Sequence, residues 1–425
     1  MRVSHAVSLT ATFVALSVSL YQSGLNRPPI VEAEQTSSTR PNVLVILTDD
    51  QDVDSLPVMR HLMSYPEGSW VNFTNAFVSV SLCAPARATL LSGQYSEHHR
   101  VTTNANGERL NENLLLPVWL DSAGYNTALM GKYHIRVGAK YMPPGWDKRI
   151  NPKGASDVDA YNQAALNYIQ NTTSPWFLLV SYMAPHAVAN PPDRYKNTDV
   201  NLPPPRPNVN ELDVSDKPAW LRQYPLLTST TLEKWRREQT NAWRETLAID
   251  DGVAAFVAKL KDTGQLNNTL IIFVGDNGMS WGSHRKIGKW CPYEECSRIP
   301  LLIRYPGTAD NRVDTHLVGM VDLAATIAEY TGVTPQLAQD GHSLVPLLRN
   351  ADASQWRESV LLERHINDDY FGIRVPGWKY IEYRRGFREL YDLQADPYEM
   401  QNVANQARYA DIQAQLAQQL QAIRP

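Results

Sequence analysis

The sequence predicts an α/β fold: a large, mostly parallel sheet sandwiched by helices, followed by a small antiparallel α+β subdomain. Three observations carry this expectation. Continuous apolar runs, each ending abruptly in polar residues, suit strands covered on both faces. Segments with apolar residues at helical spacing lie between them, and that alternation is the pattern of a doubly wound sheet. After about Arg357 the runs become short and separated by turns, and one helical stretch closes the chain.

In chain order, Arg2 and His5 precede an apolar stretch, 6–20, free of Asp and Glu. It is short for a membrane span and about right for a signal-peptide core. Residues 1–33 therefore read as a cleaved signal peptide, with cleavage near 31–33, or as an uncleaved N-terminal anchor. Either places the body outside the cytoplasm: secreted, periplasmic or in the cell envelope. No later segment has the length and apolarity to cross a bilayer. The first strand is expected over 42–47, leading into Thr48-Asp49-Asp50-Gln51. Others follow over 127–130 (into Gly131-Lys132-Tyr133-His134), 176–182 (into Met183-Ala184-Pro185-His186) and 270–274 (into Gly275-Asp276-Asn277-Gly278). Helices are expected over 233–260 and 317–330. Ligands of doubly wound sheets bind beyond the carboxyl ends of the strands, so the four polar clusters should meet in one site. The proline-rich stretch 189–225 reads as an ordered loop rimming that site. The main domain is expected over 41–356 and the subdomain over 357–425, with strands at 359–363, 370–374, 378–383 and 388–393 and a helix over 404–423.

The formal net charge of −4 gives no reason to expect nucleic acid or an anionic membrane as partner. Any anion site must be built locally. Asp49, Asp50, Asp276 and Asn277 offer only oxygen ligands, which select calcium or magnesium over zinc. Each pair alone reads as a helix cap or a turn; together, at strand ends, they favour a metal. Cys291 and Cys296 can pair in an oxidising compartment, which leaves Cys83 as an odd cysteine. A buried small hydrophobe is the usual role of such a residue. Here, however, Pro85 suits the first turn of a helix, which places Cys83 at a helix N-terminus, where an anion is favoured. Arg87 lies one turn on, and Lys132, His134, His186 and Lys289 add cationic or hydrogen-bonding groups. Buried unpaired cations are costly, so a site that gathers them beside a metal expects a multiply charged anion.

The run C-x-P-x-R followed by glycine (Cys83 to Gly93), with PNVLVILTDDQ, GKYH, APH, GDNG, GKWCPYEECSRIPLLIRYPG and ELYDLQADPYEMQNVA, resembles the type I sulfatases of the alkaline phosphatase superfamily. The resemblance spans about 41–404, in the family's order. The segment VNELDVSDKPAW further resembles arylsulfatases near the N-acetylglucosamine-6-sulfatase group. It implies an alkaline phosphatase-like sheet and hydrolysis of aryl or carbohydrate sulfate esters. It also implies oxidation of Cys83 to formylglycine by a formylglycine-generating enzyme. One cation, usually calcium with magnesium as the variant, would be held by Asp49, Asp50, Asp276, Asn277 and the modified Cys83. Arg87, Lys132 and Lys289 would bind the formylglycine and sulfate oxygens. His186 or Lys289 would protonate the leaving oxygen, and His134 would be the base that lets sulfate depart from the aldehyde hydrate. Ala86 departs from the serine common in the family. Cys296 stands where a small or acidic residue is common, and a bond to Cys291 would explain both cysteines. His284 either hydrogen-bonds near the site or orients its loop. Trp281, Trp290 and Tyr293 form either an aromatic wall for a ring substrate or packing. The rival readings are a phosphodiester or phosphonate monoester hydrolase of the same superfamily and a non-catalytic extracellular sugar-binding homologue. Oligomeric state is not legible.

Overall fold

The run NVLVILT supplies the central strand of the sheet, and its alternation sorts the helices onto two faces. Val43, Val45 and Leu47 point into one buried cluster, Leu44 and Ile46 into another. The computed structural model describes residues 40–136, 141–151, 157–173, 175–308, 311–351, 353–365 and 369–425. The expected targeting segment, 1–33, lies outside the described residues.

The elements used below are β1 (Asn42–Thr48), β2 (Trp70–Phe73), α1 (Cys83–Ser92), α2 (Leu116–Ser122), β3 (Asn126–Gly131), β4 (Lys148–Ile150), α3 (Val158–Asn171) and β5 (Trp176–Ser181). They continue with α4 (Ser229–Asp262), β6 (Thr269–Gly275), β7 (Leu301–Arg304), β8 (Arg312–Asp314), α5 (Asp322–Thr331), the four strands β9 (Val360–Arg364), β10 (Tyr370–Val375), β11 (Trp378–Tyr383) and β12 (Arg388–Asp392), and α6 (Ala410–Ile423). The large sheet runs β8-β2-β7-β6-β1-β5-β3-β4, and only β7 is antiparallel to its neighbours. The adjacent strands β3, β5, β1 and β6 are parallel, so their carboxyl ends lie on one edge. Helices α1, α2 and α5 cover one face and α3 and α4 the other.

Two helices begin later than their apolar spacing predicts. Residues 317–321 are not helical: Val318–Gly319 pairs in parallel with Ala76–Phe77, and the amide of Gly319 donates to Asp322 Oδ2 (2.7 Å). Residues 404–409 precede α6 because the chain is still tied to the small sheet, with Val403 N on Leu390 O at 2.9 Å. Strand β7 is a four-residue run, and β2, β4 and β8 are shorter than a clear period-2 signal needs. In α4 the side chain of Thr228 caps the Thr231 amide, so the helix starts at Ser229, ahead of its first apolar residues.

The C-terminal strands form an antiparallel sheet in chain order, β9-β10-β11-β12. One face takes α6 through Leu416 and Leu420. The other packs on Trp220, Leu221, Tyr293 and the Cys291–Cys296 disulfide. Thr39–Pro425 is one compact unit, so this sheet belongs to the same body as the large one.

Close approach at the sheet edge depends on Gly131. Its φ is +87°, and a Cβ there would lie 2.3 Å from the Tyr161 ring and 2.4 Å from Ser181 O. That contact lets Lys132 N reach Ser181 O at 2.9 Å, turning the chain toward the strand ends. Gly131→Ala is expected to destabilise the protein by more than about 1 kcal/mol, read as a lower urea midpoint at unchanged slope.

Candidate active site

Helix α1 begins at Cys83, with Leu82 as its extended N-terminal neighbour, and all ten of its residues are buried. A helix buried on every side is part of the core, so Cys83 is carried on a rigid rod beneath the strand edge. Asn104 Oδ1 takes the amide of Ala84 at 2.9 Å. Around Sγ stand Lys289 Nζ at 2.7 Å, Asp49 Oδ1 at 3.4 Å and Lys132 Nζ at 3.6 Å.

Asp49 and Asp50 follow β1, and Asp276 and Asn277 follow β6, its parallel neighbour. Asp49, Asp50, Cys83 and Asp276 each offer a ligand atom within 4.8 Å of the others, and all four are buried. Asp50 has φ of +61°, and its amide donates to Asp276 Oδ1 at 3.1 Å, which turns both carboxylates inward. Asn277 Nδ2 donates to Asp50 Oδ1 at 2.7 Å and to Gly278 O, while its buried Oδ1 has no partner. Three carboxylates and an orphaned amide oxygen are hard donors that fit a divalent cation of the calcium or magnesium kind; the Cys83 sulfur is the one soft atom among them.

Arg87 is held on every side. Its Nε and Nη2 donate to Asp276 Oδ2 at 3.1 and 3.0 Å, Nη2 lies 3.6 Å from Asp49, and Nη1 donates to Lys132 O (2.7 Å) and Ser181 Oγ. Lys132 pairs with Asp49 and Lys289 with Asp50. His186 Nε2 lies 3.5 Å from Asp50 Oδ2, and its Nδ1 is 2.6 Å from Ala187 O. His134 follows β3 with φ of +60°, and its buried Nε2 has no partner.

Burial acts on every charge here. It would raise Asp49, but Lys132, Arg87 and Lys289 outweigh it and hold that carboxyl well below the usual range. For Asp50, burial with Asp49 and Asp276 wins over Lys289 and pushes the carboxyl up. Burial, then Asp276 and Asp49, pushes the Cys83 thiol up. Burial, helped by Lys132 and Arg87, pushes His134 down to about 4. The two adjacent carboxyls are thus pushed in opposite directions, as close like charges are.

The structure thus gathers Asp49, Asp50, Cys83, Arg87, Lys132, His134, His186, Asp276, Asn277 and Lys289 at one edge. Ser181, the last residue of β5, joins them as a support for Arg87; its only trace in sequence is a hydroxyl ending an apolar run. His284 is not among them. It is buried against Glu211 (Nδ1 to Oε2, 2.6 Å) and Asn208, so it orients the loop. Tyr293 is packing: it is buried and donates to Glu389 at 2.8 Å. Trp290 is covered by Arg364, whereas Trp281 lines a cavity of about 770 Å³ with Asp52, Arg236 and the prolines at 203–205. A second cavity, of about 1060 Å³, shares those prolines with it. The proline-rich loop therefore rims both hollows. Both are lined by Val53 and Asp54, close in sequence to Asp50, and none of the ten clustered residues lines either.

Comparison with known proteins finds the model of the family "Sulfatase" over residues 41–333 and that of "N-sulphoglucosamine sulphohydrolase, C-terminal" over 282–425. The N-acetylglucosamine-6-sulfatase of Homo sapiens is 28% identical over 86% of this chain and 81% of its own. Among solved structures, a protein in complex with its substrate D-glucosamine-2-N,6-O-disulfate superposes with a TM-score of 0.76 at 24% identity, covering 90% of this chain and 97% of that one. The phosphonate monoester hydrolase of Agrobacterium radiobacter reaches 0.79 at 22%, covering 90% and 95%. At these identities the two superpositions establish the fold alone. Calcium titrated into the protein is expected to bind once per chain, and Asn277→Ala to weaken it at least about tenfold, the loss of one ligand oxygen. Isothermal calorimetry reads both.

Proposed function

This chain belongs to the sulfatase family, and from that premise we propose that it removes sulfate from a sulfated sugar, using Cys83 matured to formylglycine and one divalent cation, calcium by preference. As a sulfatase it is a hydrolase of sulfuric esters. The observation that carries the finer reading is the setting of Cys83, whose Sγ stands between Lys289 and Lys132 and beside Asp49 at the head of a buried helix. Burial and the neighbouring carboxylates keep the unmodified thiol protonated at neutral pH, so it is a poor nucleophile as it stands. A side chain kept at that spot for chemistry needs modification.

When present, the matured side chain supplies an oxygen nucleophile and the cation supplies positive charge beside it. The rest falls to this chain's residues. Three buried carboxylates (Asp49, Asp50, Asp276) face three cations (Arg87, Lys132, Lys289), so the cluster is close to neutral. Adding a divalent cation leaves a local excess of two positive charges, which suits the charge that builds on sulfate oxygens during transfer. Arg87 is locked by its four partners and holds a fixed positive charge in the site, while Lys132 and Lys289 flank residue 83 to meet the sulfate oxygens. His186 donates from Nδ1 to Ala187 O, so it passes a proton from Nε2 to the leaving oxygen only as the doubly protonated ring, with Asp50 Oδ2 3.5 Å from that nitrogen. His134 is neutral at pH 7 with an unpartnered Nε2, the state required of a base. The sugar class of substrate is supported by the curated relative named above. Export is supported by the Cys291–Cys296 disulfide, which suits an oxidising compartment. No helix among the described residues is long and apolar enough to cross a membrane.

Mass spectrometry of the tryptic peptide ending at Arg87, from a host that matures such cysteines, is expected to show an aldehyde at position 83 by carbonyl capture. An intact thiol there would overturn the catalytic reading in favour of a sugar-binding protein. The acid limb of kcat should lie near pH 4, the value to which His134 is pushed, instead of the ordinary histidine value of about 6.5. Activity should therefore rise as pH climbs through 4, and a bound cation moves the limb lower still. A limb near 6.5 that persists in His134→Ala would assign the base to another group.

A further inference from the structure

Lys289 owes its place to a loop, and that loop is held from the C-terminal sheet. Trp290, the next residue, has φ of +69°, a conformation rarely adopted by a bulky side chain and kept only where the surroundings enforce it. If Trp290 relaxed to an extended φ, the peptide joining it to Lys289 would swing and carry the ammonium away from Cys83. Two sets of contacts prevent this.

On the inner side, Trp290 N donates to Ser81 O at 2.9 Å and Cys291 N to Ser81 Oγ at 3.1 Å, two residues before Cys83. On the outer side, the Arg364 guanidinium of β9 lies 4.4 Å over the Trp290 ring. Lys379 of β11, fully buried, donates to Pro292 O at 2.9 Å and pairs with Glu294 (2.9 Å) and Glu399 (2.7 Å). Tyr293 donates to Glu389 of β12, which also accepts from Tyr383 and Tyr391 at 2.6 Å each. Three strands of the small sheet thus contribute one grip each to residues 290–294.

We infer that the C-terminal sheet is a working part of the catalytic apparatus: through Lys379, Glu389 and Arg364 it fixes residues 290–294 and so positions Lys289 at residue 83. These three are positioning residues; they act through Lys289 and touch no substrate. The inference rests on the reading of Lys289 as a sulfate-binding group.

The test compares Tyr293→Phe, Lys379→Met and Lys379→Arg with wild type in the full-length, calcium-loaded protein. Hydrogen exchange of the peptide carrying Trp290 and Cys291 reports the grip without needing turnover. The inhibition constant for inorganic sulfate and kcat on an aryl sulfate report Lys289. In Lys379→Met, exchange in that peptide is expected to rise with β1 unchanged. The sulfate constant should rise and kcat fall by about tenfold or more, the scale of one lost charged hydrogen bond. Calcium affinity should stay at the wild-type value, and Lys379→Arg should recover most of the loss. Tyr293→Phe, which leaves Glu389 two of its three phenols, should shift the same readouts in the same direction by less, and it decides alone if Lys379→Met does not fold. Wild-type sulfate affinity and kcat in variants whose 290–291 amides exchange faster would overturn the inference, as would unchanged exchange. Wild type inert on every sulfate ester would strike the sulfatase chemistry instead, while exchange would still read the grip.

Discussion

Three carboxylates buried within reach of one thiol set the terms for everything around them. Taking Asp49, Asp50 and Asp276 out of water is costly unless each is paired, and the strand edge brings all three together in the buried interior. The consequences can be followed outward. Arg87 must lie flat against Asp276 and Asp49, so α1 must carry it one turn below Cys83. Its remaining donors need acceptors, so β5 ends in Ser181 and β3 turns at Gly131 to offer Lys132 O. The lysines complete the balance from two further loops. Each support is therefore required by the charges it serves, and this explains how a loosely connected set of loops can hold a well-defined geometry.

The same constraint explains what was readable in the sequence. Parallel strands buried on both faces write themselves as apolar runs, and their polar ends fall on one edge by topology. Asp49, Lys132, His186 and Asp276 could therefore be assigned to one site from four short segments. Cys83 and Arg87 were legible because proline marks a helix start and a one-turn spacing shares a face. What was not legible lacked either signal. Ser181 is a lone hydroxyl, and β2, β4, β7 and β8 are too short to show a period. Residues 317–321 carry helical spacing yet stay out of the helix, with Val318–Gly319 paired as a short strand and the Gly319 amide held by Asp322, where the helix starts. The roles of His284 and Tyr293 depend on Glu211 and Glu389, partners 73 and 96 residues away in sequence. No local pattern could have announced them.

The charged cluster and the two hollows are built on different parts of the molecule. The clustered groups stand on strand ends and on one buried helix, which ties their positions to the core. The hollows are walled by the proline-rich loop and residues of α4, which answer to no such constraint. That wall is pinned at a few points: Arg206 pairs with Asp54 and, at 3.2 Å, with Glu295, and Asp52 Oδ2 accepts from the indoles of Trp281 and Trp243 at 2.7 and 3.0 Å. Asp52 and Asp54 lie two and four residues beyond Asp50. Glu295 lies six beyond Lys289. The pins are thus continuous in sequence with the charged cluster: the short segments that fix the wall are the ones that carry Asp50 and Lys289. A change in the loop that broke the partners of Asp52, Asp54 or Glu295 would therefore reach Asp50 and Lys289 through two to six residues of chain.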